Sequence, residues 1–208
     1  TTYTYDAQDR MLTRSGPDGS LVTYTQGPAG PLTITEKVTA TQNRTTTLTY
    51  TGTGKPQTIT DPRNKTTTLG YNPNGDLASV TDPLTHATTF GYDTLGRRTT
   101  VTDALTHTTT TAYDARGRVT RITNYDGTHT DFAYDLGGRR TKVTDPMLRE
   151  TRYLYDAYGR LEQVVDPMNQ VTAYGYDAMS NLTSLTDANS HTTAFEYDGY
   201  RSVKKVTY

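Results

Sequence analysis

Large side chains recur along this chain at a fixed interval instead of gathering into runs. Tyrosines stand at 50, 71, 92, 113, 134, 155, 176 and 197, one every 21 residues. Two residues before most of them comes another bulky residue, as in Leu69, Phe90, Tyr153 and Tyr174. Nine residues after each comes an aliphatic one: Ile59, Val80, Val101, Ile122, Val143, Val164, Leu185 and Val206. The tract before each Tyr is rich in Thr and aromatics, as in Thr66-Thr67-Thr68-Leu69-Gly70-Tyr71, and reads as a β-strand. Side chains alternate along a strand, so the Thr four before the Tyr, the bulky residue two before it and the Tyr itself share one face. The other face takes Thr, Ala, Gly and charge.

Two turn signals punctuate each period. Asp follows the Tyr at 93, 114, 135, 156, 177 and 198. Gly comes four after the Tyr at 54, 75, 96, 117, 138 and 159, and then Arg at 97, 118, 139 and 160. Asp-x-x-Gly-Arg predicts a hairpin turn, because Asp bonds its own downstream backbone and Gly adopts positive φ without steric cost. The second signal is Asp-Pro at 61, 82, 145 and 166, where Pro presets φ and lacks the donor that a central strand would use. Each repeat is therefore expected to be one hairpin, and successive hairpins to extend one continuous, curved antiparallel sheet. The fold class is all-β. About nine repeats give roughly 18 strands, or on the order of 85 Å of ribbon, with equivalent residues of neighbouring repeats about 10 Å apart.

Regular repeats run over 50–208. The first 49 residues break register, with Tyr24 19 residues after Tyr5 and Tyr50 26 after Tyr24, and the Gly27–Pro31 loop is expected to absorb the difference. The whole reads as a single repeat array. It begins and ends within the repeat pattern, as a piece of a longer polypeptide would.

Composition sharpens this picture. Apolar residues are 32% of the chain, Trp is absent, and 17 Tyr supply most of the large contact area, which argues against an ordinary globular core. A net charge of -1 offers no global attraction to nucleic acid or anionic membranes. Without Cys there is neither a disulfide framework nor a thiolate metal site. No stretch approaches the roughly 20 apolar residues that a helix needs to cross a bilayer.

Tyr92-Asp93-Thr94-Leu95-Gly96-Arg97 and Tyr113-Asp114-Ala115-Arg116-Gly117-Arg118, followed by Val-Thr-Asp-Pro as at 80–83 and 143–146, resemble the signature of the Rhs/YD-repeat family over nearly the whole chain. Departures are Asp9 in place of Gly, Asn72 through Asp76, Ser180-Asn181 and Arg201-Ser202. The resemblance implies a sheet that spirals into a hollow shell, as in bacterial polymorphic toxins, the B and C components of insecticidal Tc toxins, and teneurins. It implies as partners the rest of a longer secreted or bacterial-surface polypeptide and the cargo domain that the shell encloses. The family's Asp-Pro-x-Gly self-cleavage motif has no counterpart here, so no protease residue carries over.

Three candidate chemistries accompany the structural reading. His86, His107 and His191 each lie six residues before a repeat Tyr, but a 10 Å spacing does not suit a metal whose ligands sit at roughly 2 Å. The turn Asp residues do not converge several oxygens on one point, as Ca²⁺ requires. The Tyr stripe with its Arg residues, above all Tyr92, Tyr113, Arg97 and Arg118, offers ring faces and bidentate donors suited to glycans; the same residues also suit cross-strand ladders and braced turns. No nucleophile elbow, zinc-protease helix or phosphate loop is present. The expectation is a non-catalytic protein without cofactor, serving as a shell segment, with a carbohydrate-binding module or a passive stalk as alternatives.

Overall fold

The computed structural model describes residues 1–38 and 42–208, which contain strands and turns and no helix. They fall into two compact units, 1–108 and 109–208. Unit 1 contains β1 (Thr2–Tyr5), β2 (Met11–Ser15), β3 (Leu21–Gln26), β4 (Pro31–Lys37), β5 (Asn43–Tyr50), β6 (Pro56–Thr60), β7 (Thr66–Tyr71), β8 (Leu77–Thr81), β9 (Ala87–Tyr92) and β10 (Arg98–Thr102). Unit 2 takes in β11 (Thr108–Tyr113, its first residue the last of unit 1), β12 (Val119–Thr123), β13 (His129–Tyr134), β14 (Arg140–Thr144), β15 (Glu150–Tyr155), β16 (Leu161–Val165), β17 (Val171–Tyr176), β18 (Leu182–Thr186), β19 (Thr192–Tyr197) and β20 (Val203–Thr207). Within each unit every strand pairs antiparallel with its neighbours in sequence. The hairpin-repeat, all-β reading of the sequence holds in both.

Among the described residues twenty strands form instead of about eighteen, because the irregular first 49 positions keep the hairpin rhythm. The Gly27–Pro31 loop does not absorb the register break. It is tight, with Gly27 N donating to Gly30 O at 2.8 Å. The additional residues extend β4 and β5 to seven and eight residues, because their Thr-rich sequences simply continue the ladder.

The two hairpin types differ in register. After each Asp-Pro-type turn the pairing is regular, as in Lys142↔Arg152, Val143↔Thr151 and Thr144↔Glu150. Across each Tyr-Asp hairpin it slips by one residue next to the Tyr: Gly175 pairs with Ser184 but Tyr176 with Leu182. This is a β-bulge, with two residues of the returning strand opposite one Tyr. The departures from the repeat pattern preserve the turn. Asn72 N still donates to Asp76 O at 2.9 Å, and Asp9, Ser180 and Arg201 adopt φ of 58, 66 and 65° where other repeats have Gly.

Pairing brings the apolar residues together on one face. The residue two before each Tyr lies directly opposite the aliphatic nine after it, as in Leu69↔Val80, Phe132↔Val143, Tyr174↔Leu185 and Phe195↔Val206. The opposite face carries Thr hydroxyl pairs such as Thr49 with Thr58 at 2.7 Å, and cross-strand ion pairs such as Arg121 with Asp131. Among the described residues no second layer covers either face. Val165 is the one buried apolar side chain among the described residues. The exposed surface is 14028 Å², against about 9,600 Å² for a compact monomer of this mass.

Candidate functional site

The repeated residues form a ladder of turns along one edge of each unit. Tyr50, Tyr71 and Tyr92 end β5, β7 and β9 in unit 1, while Tyr113, Tyr134, Tyr155, Tyr176 and Tyr197 end β11, β13, β15, β17 and β19 in unit 2. An Asp opens the turn that follows from Tyr92 onward, with Thr51 and Asn72 in its place after Tyr50 and Tyr71. Its backbone closes a five-residue loop, as at Asp156 N to Arg160 O and Gly159 N to Asp156 O, both 2.9 Å. Gly75, Gly96, Gly117, Gly138 and Gly159 supply the left-handed residue, with φ of 86, 75, 80, 90 and 84°.

The Asp carboxylate then satisfies the loop from within. Asp156 Oδ1 accepts the N–H groups of Tyr158 and Arg160 at 2.9 Å, and Oδ2 accepts Arg160 Nε at 2.7 Å. Asp93 with Arg97, Asp114 with Arg118 and Asp135 with Arg139 repeat this arrangement, with Nε to Oδ2 distances of 2.7, 2.7 and 2.6 Å. At Asp177 the donor is the Asn181 amide at 2.8 Å, and at 72–76 the polarity reverses, with Asn72 Nδ2 donating to Asp76. The Arg118 and Arg139 backbone N–H groups, with their guanidinium groups, hold the carboxyls of Asp114 and Asp135 below the ordinary range. Partial burial works against this at Asp93 and Asp156 and is outweighed by the same kinds of donor. Hydrogen bonds from the Asn181 side chain and backbone likewise lower Asp177.

The same residues reach from one repeat to the next. Arg118 lies over the ring of Tyr134 at 4.4 Å from its centroid, Arg139 over Tyr155 at 4.9 Å, and Arg160 over Tyr176 at 4.7 Å. Lys55 takes this place over Tyr71 at 5.3 Å. Arg160 also donates to Asp177 O at 2.8 Å. Arg118, Arg139 and Arg160 thus tie their own turns to the following Tyr by a cation–π contact.

A second tie was not legible as a motif. The Tyr hydroxyl reaches the backbone 15 residues back: Tyr71 to Pro56 O, Tyr92 to Leu77 O, Tyr134 to Val119 O, Tyr155 to Arg140 O, Tyr176 to Leu161 O and Tyr197 to Leu182 O, all at 2.8–2.9 Å. The accepting carbonyl belongs to the bulged residue that pairs with the preceding Tyr, as Leu161 pairs with Tyr155. The bulge interrupts the ladder at that point, and the phenol of the next repeat bonds there. Only the constant interval between the Tyr and the start of the returning strand hinted at this.

The Asp-Pro turns, and the Asp-Ala turns at 103 and 187, repeat the loop without its glycine. Asn64, Thr85, Thr106, Leu148, Asn169 and Ser190 hold the left-handed position at φ of 59–71°. His86, His107 and His191 occupy the place that Arg takes in the other turns, with Nδ1 3.0, 3.0 and 3.2 Å from the carboxylates of Asp82, Asp103 and Asp187. Among the described residues no three His, Asp or Glu side chains converge as a metal site would need.

Comparison with known proteins agrees with this geometry. The RHS Repeat model matches residues 71–108, 113–146 and 155–192, together just over half of the chain. A search of curated proteins finds no match. Among solved structures, the chain is similar to TcdB2-TccC3-TEV (TM-score 0.78, 17% identity, 97% of this chain and 12% of that one). It is equally similar to the Photorhabdus luminescens Tc holotoxin pore (TM-score 0.79, 18% identity, 99% of this chain and 12% of that one). The TcdB2-TccC3 structure without its hypervariable C-terminal region matches with TM-score 0.77 at 18% identity, over 97% of this chain and 12% of that one. The chain therefore spans about an eighth of the length of the structures that it matches, and their likeness at this identity is one of fold. With a 21-residue period, an Asp-Arg-Tyr tie at successive turns in unit 2 and a family model covering most of the regular repeats, the chain belongs to the RHS repeat family.

Proposed function

We propose that the chain is a structural wall segment of a β-sheet shell, within a larger secreted or surface polypeptide that encloses a toxin or effector cargo, and that it carries out no catalysis itself. The observation that carries this reading is a sheet with two open faces and one buried apolar side chain among the described residues. A protein whose repeats are tied edge to edge but have no interior of their own is suited to bound a space. Under this reading residues 50–208 form the regular wall and 1–49 a variant stretch of the same array.

A carbohydrate-binding role for Tyr92, Tyr113, Arg97 and Arg118 fits less well. The Tyr92 hydroxyl is engaged by Leu77 O. Arg118 is engaged by Asp114 and covers Tyr134, whereas a sugar needs ring faces and donors that are free. A passive stalk has no use for one face that gathers the apolar residues of successive repeats, and it predicts no enclosed domain.

The test is protease protection in the complete polypeptide that contains this segment. A domain that is enclosed survives trypsin while the shell is intact and is digested after mild denaturation opens the sheet. Digestion of every other domain at the same rate before and after denaturation would refute enclosure. Binding of this chain to a glycan array, lost on joint Tyr92→Ala and Arg97→Ala substitution, would favour the carbohydrate reading instead.

A further inference from the structure

The polar face of unit 2 contains a hollow that the repeat pattern does not explain. Its volume is about 550 Å³, and Ala133, Lys142, Arg152, Leu154 and Val165 line it. Four of these form a straight row across four strands, since Ala133 pairs with Lys142, Lys142 with Arg152, and Arg152 with Val165. The row places two cations directly opposite each other, with Cβ atoms about 4.5–5.5 Å apart, an arrangement that is unfavourable in itself. Lys142 Nζ donates to Glu150 at 2.7 Å. Arg152 meets the amide oxygen of Asn169 at 3.1 Å, and among the described residues it has no carboxylate partner. One positive charge is thus left over at the centre of the row.

The surroundings of that charge are apolar. Val165 is 9% exposed and Leu154 is 42% exposed, and both stand on the face that elsewhere carries Thr pairs and ion pairs. The geometry points to a binding site for a carboxylate carried on an apolar tail. The two carboxylate oxygens match the Arg152 guanidinium fork and lie within reach of Lys142, and the tail lies on Val165 and Leu154. A bare phosphate or sulfate makes no use of that floor, and a neutral apolar group makes none of the charge.

The site is tested by following backbone amide resonances of the 208-residue chain during titration with 4-methylpentanoate. Saturable shifts at Lys142, Arg152 and Val165 are expected, with none from 4-methylpentanamide, which has the same tail without charge. Arg152→Gln should weaken binding about tenfold or more, as loss of a charge-assisted hydrogen bond does. Lys142→Gln should weaken it less, and Arg201→Gln, at the turn between β19 and β20, should leave it unchanged. An acetyl-Leu-Glu-Leu-amide titration separates the sources: tighter binding than the free acid assigns the site to an acidic polypeptide segment, equal or weaker binding to a small organic acid. Equal shifts with the amide, or unchanged binding by Arg152→Gln with its far-UV circular dichroism intact, would overturn the proposal.

Discussion

Removing one hydroxyl should weaken the whole of unit 2. Tyr176 donates to Leu161 O at 2.9 Å across two strands, and Tyr176→Phe deletes that bond alone. The ring remains under Arg160 at 4.7 Å, so the cation–π contact and the apolar packing survive. The loss is the net value of one hydrogen bond plus a partly desolvated carbonyl left without its partner, about 1 kcal/mol. In a cooperative unit of this size, 1 kcal/mol corresponds to a Tm decrease of about 4–8 °C. Equivalent ties at Tyr134 and Tyr155 recur about 10 Å apart along the sheet, far enough to add. The triple variant Tyr134→Phe, Tyr155→Phe, Tyr176→Phe should therefore lose about 3 kcal/mol. In a repeat array these bonds are nearest-neighbour coupling, so the triple variant should also unfold over a broader range than the parent. Thermal and guanidinium unfolding followed by far-UV circular dichroism measure both quantities. The control is Tyr158→Phe, at a turn tip where Tyr158 is 85% exposed. If Tyr176→Phe and Tyr158→Phe unfold alike, the hydroxyl-to-bulge bond does not couple the repeats and the reasoning fails.

Three further outcomes follow from the turns. Leu148 holds a left-handed φ of 62°, so Leu148→Gly should raise stability by about 0.5–1 kcal/mol once the greater freedom of glycine in the unfolded chain is counted; a lower denaturation midpoint would contradict this. Backbone and guanidinium donors of Arg118 hold Asp114 below its ordinary value of 3.8, and the Arg149 guanidinium does the same to Asp145. A depressed carboxyl contributes stability that is complete above its unfolded pKa and lost as pH falls through the folded one. Unfolding midpoints should hold steady at neutral pH and decline from about pH 4 downward, with Asp114→Asn flattening that decline; an unchanged acid profile in the variant would be inconsistent with it. Arg139→Lys keeps the charge but cannot bond Asp135 through Nε while covering Tyr155, so it should lower the unfolding midpoint more than Arg63→Lys at an exposed Asp-Pro turn, as differential scanning calorimetry would show.

Much of this architecture is written in local chemistry. The 21-residue spacing, the Asp-x-x-Gly loops and the alternation within Thr-Thr-Thr-Leu-Gly-Tyr identify strands, turns and a shared apolar face, because each depends only on residues a few positions apart. The sequence by itself thus determined an all-β chain of antiparallel hairpins and membership of a repeat family. Register across strands is a different matter. The bulge beside every Tyr, the carbonyl it offers to the next phenol, and the left-handed Thr85 and Leu148 arise where two strands meet, and no single segment encodes them. The row Ala133, Lys142, Arg152, Val165 is more remote still, since its members are 9 to 13 residues apart in sequence and become neighbours only when β13 to β16 pair. Tertiary structure decided these features because they depend on which backbone groups the ladder leaves unpaired and which charges it sets opposite each other.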